Sequence, residues 1–136
     1  MEACAVCGGK LVEESRKSSF QYKTHTIEIE MPGLYCEECG EGYHNEEEQK
    51  TIDRNIALAK RHTEHLLIPD ELVRIRKKLQ LSQKEAAEIL GGGVRSFYKY
   101  EHVLNNQPKS LDILFRLLDD GVLSWEDVVL ASGKSA

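Results

Sequence analysis

The sequence has 136 residues, of which 40% are hydrophobic and 30% are charged, and its formal net charge is −5. This length fits one domain or two small ones, and two domains of ~60 to 70 residues would each need an added stabilising element such as a metal ion. The acidic charge argues against a protein covered by nucleic acid on all sides, and the absence of ~18 consecutive apolar residues argues against a membrane span.

The first residues, MEACAVCGG, lack the basic and apolar regions of a secretory signal. We therefore expect a cytoplasmic protein, in which cysteine thiols stay reduced. The same stretch holds the first of two cysteine pairs, Cys4 with Cys7, and the second pair is Cys36 with Cys39. Each pair has two residues between its cysteines and a glycine directly after it.

This spacing is typical of a metal site. Two intervening residues let both thiolates of a pair bind one ion, and the glycine permits a positive φ that turns backbone N–H groups towards sulfur. Two such pairs supply four soft ligands in a tetrahedron, which suits Zn²⁺ and leaves no open position for a substrate. We therefore predict one structural zinc ion per chain, bound by Cys4, Cys7, Cys36 and Cys39.

Two alternatives to zinc remain open at this stage. The first is that the cysteines are free thiols or form disulfides. The second is iron, because a rubredoxin also uses two CxxCG pairs at about this separation and four thiolates do not distinguish the two metals. The single tryptophan, Trp125, lies far along the chain from the cysteine pairs, so the aromatic core typical of a rubredoxin would be poorly developed here. His44 follows Cys39 by five residues, and we expect it at the surface because four cysteines already complete the set.

The 28 residues between the two pairs contain a stretch rich in Thr, Ile and aromatic residues, FQYKTHTIEIE at 20–30, whose alternation predicts a strand. Pro32 and Gly33 then predict a turn. Residues 1–44 are thus expected to form a small, zinc-bound, β-rich (α+β) domain. From Asn45 to Leu67 there is no Gly or Pro, and Asn45 with Glu48 is typical of a capping box, so residues 45–68 are predicted as a linker helix.

After Pro69 the pattern changes to five short amphipathic helices separated by glycines and capping residues, which predicts an all-α domain over 69–136. Residues 69–109 hold eight Lys/Arg against five Asp/Glu, a net charge of +3, whereas the flanking segments 1–68 and 110–136 carry −5 and −3. A basic middle between acidic flanks is compatible with a local DNA-binding face. The five helical segments read PDELVRIRKKL, QKEAAEIL, VRSFYKYEH, LDILFRLL and WEDVVL.

The second and third of these helices have the pattern of a helix-turn-helix. Ser82 is placed to cap the second helix, three glycines end it, and Phe97 and Tyr100 are spaced to face the core. The outer face of the third helix enters the major groove in this motif. We expect that face to carry Arg95, Ser96 and Lys99, with Val94 and Tyr98 at its margins.

The residue types on this face suit DNA. Arg95 is expected to reach guanine O6 and N7 with its forked guanidinium, and Lys99 to reach the same edges or a phosphate. Gln83 and Lys84 begin the second helix and are expected near the DNA backbone. The alternative is that these side chains form an ordinary solvated helix face.

Taken together, VRIRKKLQLSQKEAAEILGGGVRSFYKYE followed by QP, and the N-terminal CxxCG with GLYCxxCG, closely resemble the MqsA family of antitoxins of type II toxin–antitoxin systems. In that family a YgiT-type zinc finger precedes an Xre-type, phage-repressor-like helix-turn-helix domain. The resemblance covers roughly residues 1 to 120. The family often has Asn and Arg where this chain has Arg95 and Lys99, and the loop EHVLNNQP lacks its usual glycine.

The resemblance implies a type II antitoxin. Its zinc domain would neutralise a cognate toxin, commonly an mRNA-cleaving ribonuclease. Its C-terminal domain would form a homodimer and repress its own operon by binding a palindromic operator in double-stranded DNA. Arg95 and Lys99 would then read bases.

Other function classes fit less well. We find no Ser/His/Asp set, phosphate loop or paired catalytic carboxylates, and expect no enzyme. A zinc-ribbon and helix-turn-helix regulator without a toxin, similar in layout to archaeal multiprotein bridging factors, is the main alternative. A redox protein that uses iron or the CxxC thiols is the third.

Overall fold

The computed structural model describes residues 2–134, which divide into two compact units. The first unit runs to Lys60 and the second begins at Arg61, so the division falls within the predicted linker helix. Residue 1 and residues 135 and 136, which the predicted domain ranges include, lie outside the described residues.

Within residues 2–134, the first unit holds a three-stranded antiparallel sheet in the order β1-β2-β3, followed by most of helix α1. The second unit holds the last turn of α1 and five further helices, α2 to α6. A β-rich region with four clustered cysteines followed by a five-helix region confirms the predicted fold class. The elements are β1 Leu11–Tyr22, β2 His25–Cys36, β3 Gly42–Tyr43, α1 Glu46–Thr63, α2 Pro69–Lys78, α3 Gln83–Leu90, α4 Ser96–Glu101, α5 Lys109–Asp119 and α6 Trp125–Ser132.

Strands β1 and β2 form a long hairpin whose register pairs Leu11 with Cys36 and Tyr22 with His25. The prediction of one strand over 20–30 is therefore wrong, because the chain reverses between the two strands, where Lys23 has φ 55°. The predicted turn at Pro32 and Gly33 is wrong as well, because both residues lie inside β2. In the described chain β2 pairs with β3 only at Leu34 and Tyr35, so no strand pairs with Pro32 on that edge, where a missing N–H is tolerated.

Helix α1 begins as its capping box predicts. The Asn45 side chain accepts a hydrogen bond from the Glu48 N–H at 2.8 Å, and the Glu48 carboxylate accepts one from the Asn45 N–H at 2.9 Å. These reciprocal bonds satisfy two backbone donors that a helix start would otherwise leave unpaired. No helix of residues 2–134 is long and apolar enough to cross a membrane.

The second unit has a continuous apolar core to which every one of its helices from α2 to α6 contributes. Phe97 of α4 and Phe115 of α5 are fully buried, with ring centroids 5.6 Å apart. Burying an aromatic side chain stabilises a fold by roughly 2 to 3 kcal/mol, so α4 is held mainly by Phe97 and Tyr100. The core residues are Leu67, Leu72, Ile75, Leu81, Ala86, Ala87, Phe97, Tyr100, Leu111, Phe115, Leu118 and Val128.

The segment from Arg61 to Leu67 is hydrogen-bonded into the second unit. Arg61 is fully buried, and its Nη2 donates to the Tyr100 carbonyl at 2.9 Å. The Leu67 N–H donates to the buried Asp112 carboxylate at 2.7 Å. The end of α1 and the loop after it are therefore part of the helical unit, although the sequence placed them in a linker.

Candidate metal centre and nucleic-acid interface

The four cysteine sulfurs lie within 4.8 Å of one another. Cys4 Sγ is 3.6 Å from Cys39 Sγ, and Cys7 Sγ is 3.4 Å from Cys36 Sγ. Four sulfurs bound at ~2.3 Å around a tetrahedral ion would be about 3.8 Å apart. The cluster therefore matches the size of a tetrathiolate metal site, and the structure brings together all four residues predicted for it.

The two cysteine pairs have the same backbone arrangement. The Gly8 N–H donates to the Cys4 carbonyl at 2.9 Å, and the Gly40 N–H donates to the Cys36 carbonyl at 3.1 Å. Both glycines have positive φ, 75° and 80°, as predicted for the residue after each pair. Backbone N–H groups also face the sulfurs: Val6 N lies 3.4 Å from Cys4 Sγ and Cys39 N lies 3.5 Å from Cys36 Sγ.

The residues around the cluster favour thiolates on one cysteine of each pair. The Tyr43 hydroxyl, 3.3 Å from Cys4 Sγ, lowers the pKa of that thiol to about 6. The Cys39 N–H lowers the pKa of Cys36. The Gly9 N–H lowers the pKa of Cys7, but hydrogen bonds with the Cys36 and Cys39 thiols have a larger effect and raise this pKa to about 12.

A cluster of four ionised cysteines also needs a compensating charge. Four negative sulfurs this close together repel one another, so they ionise together only when a cation compensates their charge. A bound divalent ion deprotonates such thiols outright. The donor set thus fits a soft divalent metal ion with no fifth ligand required.

The backbone approaches the sulfurs closely at Gly9. A Cβ atom at that position would lie 2.8 Å from Cys36 Sγ and 3.2 Å from Cys7 Sγ, so a side chain would displace the sulfurs. His44, which we expected at the surface, is half-buried instead: its Nδ1 is 2.8 Å from the Pro32 carbonyl and its ring packs edge-on against Tyr35. It supports the sheet beside the cluster.

In the second unit, α3 and α4 are joined by Gly91, Gly92 and Gly93, which have φ of 82°, 93° and 97°. Three successive positive φ angles strongly favour glycine. A Cβ on Gly92 would also lie 3.2 Å from Ser96 Cβ and from the Tyr100 hydroxyl. The triple glycine thus makes the sharp turn that directs α4.

Most residues predicted for the DNA-facing surface are exposed around the start of α4. Val94 is 76% exposed, and Arg95 and Lys99 are exposed as well. The helix begins at Ser96, two residues later than predicted, so Arg95 occupies the N-cap position and Val94 the turn before it. The Lys99 N–H still donates to the Arg95 carbonyl at 3.0 Å, which keeps the two side chains one turn apart.

Ser96 does not face outwards. Only 5% of it is exposed, and its hydroxyl donates to the Gly91 carbonyl at 3.4 Å. The prediction of an outward Ser96 was wrong because α4 starts at this residue, two positions later than predicted, and Ser96 faces the glycine loop.

The two residues predicted at the start of α3 differ in their surroundings. Gln83 is half-buried, and its Nε2 donates to the Glu101 carboxylate at 3.1 Å. Lys84 is exposed and lines a groove of about 490 Å³ together with Val94. The structure therefore places Lys84 beside the α4 residues, while one amide donor of Gln83 is used inside the fold.

Three planar side chains, those of Arg95, Tyr98 and His102, form a row along α4 that we did not predict. Tyr98 is half-buried; the guanidinium carbon of Arg95 lies 4.8 Å from its ring centroid on one side, and the His102 ring stacks at 3.9 Å on the other. The row could have been predicted from the sequence, because Arg95, Tyr98 and His102 are three and four residues apart and residues at these spacings share a helix face.

The comparisons with known proteins agree with this layout. Residues 1–122 match the family model described as the antitoxin component of the bacterial toxin–antitoxin system, MqsA. The chain is also 37% identical over 120 residues to Antitoxin MqsA of Escherichia coli (strain K12), which covers 85% of this chain and 91% of that relative. Helix α6 lies beyond the matched residues. The resemblance stated from the sequence is thereby confirmed, and the chain belongs to the MqsA family of bacterial toxin–antitoxin antitoxins.

Proposed function

We propose that this antitoxin holds one Zn²⁺ ion through Cys4, Cys7, Cys36 and Cys39, neutralises a cognate toxin, and represses its own operon through the surface around α4. The choice of zinc is supported by the closed set of four thiolates, which suits a structural zinc ion. The first unit also has few buried apolar side chains in its described part, so a metal would supply much of its stability.

The metal is identified directly from purified protein. We expect elemental analysis to give one zinc per chain and the solution to be colourless. A red protein that contains iron would contradict the zinc assignment. Release of about four thiols to a thiol reagent, only after a chelator is added, would place the metal on the cysteines.

Sequence-specific DNA binding is the second part of the proposal. The observation that carries it is the contrast on α4: Phe97 and Tyr100 are buried, while Val94, Arg95 and Lys99 project around its start. A rigid short helix with forked and apolar side chains at its start suits the base edges of a major groove. Lys84 lines the adjoining groove, and we expect it to contact a phosphate.

DNA binding is tested with a labelled duplex that carries the promoter preceding this chain's coding sequence. We expect Arg95→Ala to lower affinity by ~1 to 3 kcal/mol per half-site and to relax base preference at one position. Lys84→Ala should weaken binding to all sequences similarly. Arg74→Ala is the matched control, because Arg74 is an exposed arginine of the same unit that is paired with Asp119. Equal effects of Arg95→Ala and Arg74→Ala would contradict the proposal.

Homodimer formation through the second unit is the third part. Several apolar side chains of α5, α6 and the loop between them are exposed: Ile113 by 48%, Val122 by 67% and Leu130 by 80%. A dimer that reads two half-sites needs them about 34 to 36 Å apart. Sedimentation of the full chain tests the dimer, and we expect Leu130→Glu to shift it towards monomer.

The toxin partner follows from the family, and an mRNA-cleaving ribonuclease is the proposed class. The test is co-expression: the small protein encoded beside this chain should arrest growth alone and lose that effect when this chain is present. Continued arrest with both proteins present, or harmless expression of the neighbour, would contradict the antitoxin role for that pair.

A further inference from the structure

Tyr98 lies between two other planar side chains on the outer face of α4. The guanidinium carbon of Arg95 is over the Tyr98 ring, 4.8 Å from its centroid. On the other side, the rings of Tyr98 and His102 are stacked with centroids 3.9 Å apart and planes inclined by 21°. The row spans about two helical turns, because steps of three and four residues keep all three side chains on one face.

The far end of the row is fixed to the backbone. His102 Nδ1 lies 2.8 Å from the Tyr98 carbonyl oxygen, which only accepts, so Nδ1 carries the proton and donates it. This bond sets the plane of the imidazole, and the imidazole in turn limits rotation of the Tyr98 ring. His102 therefore packs against the Tyr98 ring and restricts its motion, while Arg95 contacts the ring as well.

The cation–π contact between the Arg95 guanidinium and the Tyr98 ring leaves the N–H donors of Arg95 free for other partners. A cation over an aromatic ring is attracted through the ring face, whereas the N–H donors of arginine lie in the guanidinium plane. Among residues 2–134 the Arg95 guanidinium contacts the Tyr98 ring and makes no hydrogen bond or ion pair, so its N–H donors remain unused. A long, exposed side chain is thus held in one place while its forked edge stays available.

We infer that Tyr98 is a positioning residue for sequence reading: it holds the Arg95 guanidinium in the orientation that meets a base edge, and His102 keeps the Tyr98 ring in place. This inference rests on the proposed DNA-binding function. It changes the expected role of Tyr98, which the sequence placed at the margin of the contact surface, and it gives a role to His102. Ordering Arg95 in advance reduces the entropy that binding would cost, and it selects guanine over bases that cannot accept two hydrogen bonds.

The test uses the full chain with its metal and a labelled duplex of its own promoter, together with duplexes in which each base pair is changed in turn. Tyr98→Ala should weaken binding to the promoter about two- to five-fold, as expected for an exposed cation–π contact. It should also reduce discrimination at the same base pair that Arg95→Ala affects. Tyr98→Phe should retain both affinity and discrimination, because the ring face is kept and only the hydroxyl is lost.

Positioning is separated from direct contact by a double-mutant cycle. In an Arg95→Ala background, Tyr98→Ala should have little further effect, because there is no guanidinium left to hold. An equal loss in both backgrounds, or a loss in Tyr98→Phe as large as in Tyr98→Ala, would overturn the inference and make Tyr98 a direct contact. Urea unfolding followed by Trp125 fluorescence checks that each variant is folded. Wild-type protein that does not prefer its promoter to an unrelated duplex would remove the proposed DNA function itself, and with it this role.

Discussion

The guanidinium of Arg76 in α2 forms a two-point ion pair with the carboxylate of Glu101 in α4, with Nε 2.8 Å from Oε2 and Nη2 3.0 Å from Oε1. Only 11% of the Arg76 side chain and 4% of the Glu101 side chain are exposed. The third guanidinium nitrogen donates to the Leu81 carbonyl at 2.7 Å, and Gln83 Nε2 donates to Glu101. One buried polar cluster therefore joins α2, α3 and α4.

Removing one partner of this ion pair should be far more damaging than removing an exposed one. Arg76→Ala leaves the Glu101 carboxylate buried and without its charge partner, and we expect it to lower the free energy of unfolding by ~3 to 5 kcal/mol. Arg74→Ala, which breaks the exposed pair with Asp119, should cost less than about 1 kcal/mol. Urea unfolding followed by the fluorescence of Trp125, which packs against the core of the second unit, measures both. Similar losses for the two variants would show that the buried pair has no special role.

Metal removal should affect the two units differently. We expect a chelator or Cys36→Ser to unfold the β-rich unit, because it has few buried apolar residues in its described part and structural zinc supplies ~10 to 16 kcal/mol of apparent binding free energy in small peptides. Circular dichroism should show loss of the sheet. The urea midpoint reported by Trp125 and the affinity for promoter DNA should stay nearly unchanged. A fall in the Trp125 midpoint equal to the loss of sheet would mean that the units unfold together.

The smallest stable fragment of the helical unit should begin at Arg61 rather than at Pro69. A fragment of residues 69–136 lacks Arg61, which donates to the Tyr100 carbonyl, and lacks the buried Leu66 and Leu67. Each buried leucine contributes about 1.5 to 3 kcal/mol, so this fragment should be destabilised by several kcal/mol relative to 61–136. Thermal melting of the two fragments checks this. Equal melting temperatures would show that the segment from 61 to 68 contributes nothing.

Acid should weaken the contact between α2 and α5. Hydrogen bonds from Arg74 and then Lys78 lower the pKa of Asp119 from its ordinary value of 3.8 to about 2. Because the folded state holds this proton less tightly than the unfolded state, the contact stabilises the fold above pH ~4 and is lost as the pH falls towards 2. Solvent screens the half-exposed Arg74 and Lys78, so the contribution is about 1 kcal/mol at most.

The variant Asp119→Asn isolates this effect. We expect this variant to have a lower free energy of unfolding at pH 7, measured by Trp125 fluorescence. Between pH 4 and pH 2 its free energy of unfolding should fall less than that of the wild type. Asp120→Asn is the matched control, because Asp120 is an exposed neighbour on the same segment. An Asp119→Asn curve parallel to wild type over this range would contradict the assignment.

Local chemistry in the sequence predicted much of this molecule correctly. The CxxCG pairs predicted a tetrathiolate cluster with positive φ at Gly8 and Gly40, and both are present. Asn45 with Glu48, and Ser82, predicted two helix starts, and a capping box forms at each. These features are local: ligand spacing, caps and glycine conformations depend on residues within a few positions of one another.

The incorrect expectations have a different origin. Pro32 and Gly33 look like a turn in isolation, yet the long pairing of β1 with β2 keeps them in a strand. Ser96 has the spacing of an outward residue, yet the glycine turn delays the start of α4 and buries it. Glu101 and Arg61 carry no sign in the sequence of their buried partners, Arg76 and the Tyr100 carbonyl, which lie 25 and 39 residues away.

By itself, the sequence determined the order of a cysteine-rich sheet and five short helices, because metal-ligand spacing, hydrophobic period and capping act over a few residues. Only the tertiary structure decided that the second unit begins at Arg61, that Ser96 is buried, and that Tyr98 lies between Arg95 and His102. The physical reason is that burial and side-chain stacking depend on which distant segments pack against a residue, and on the residue at which each helix starts.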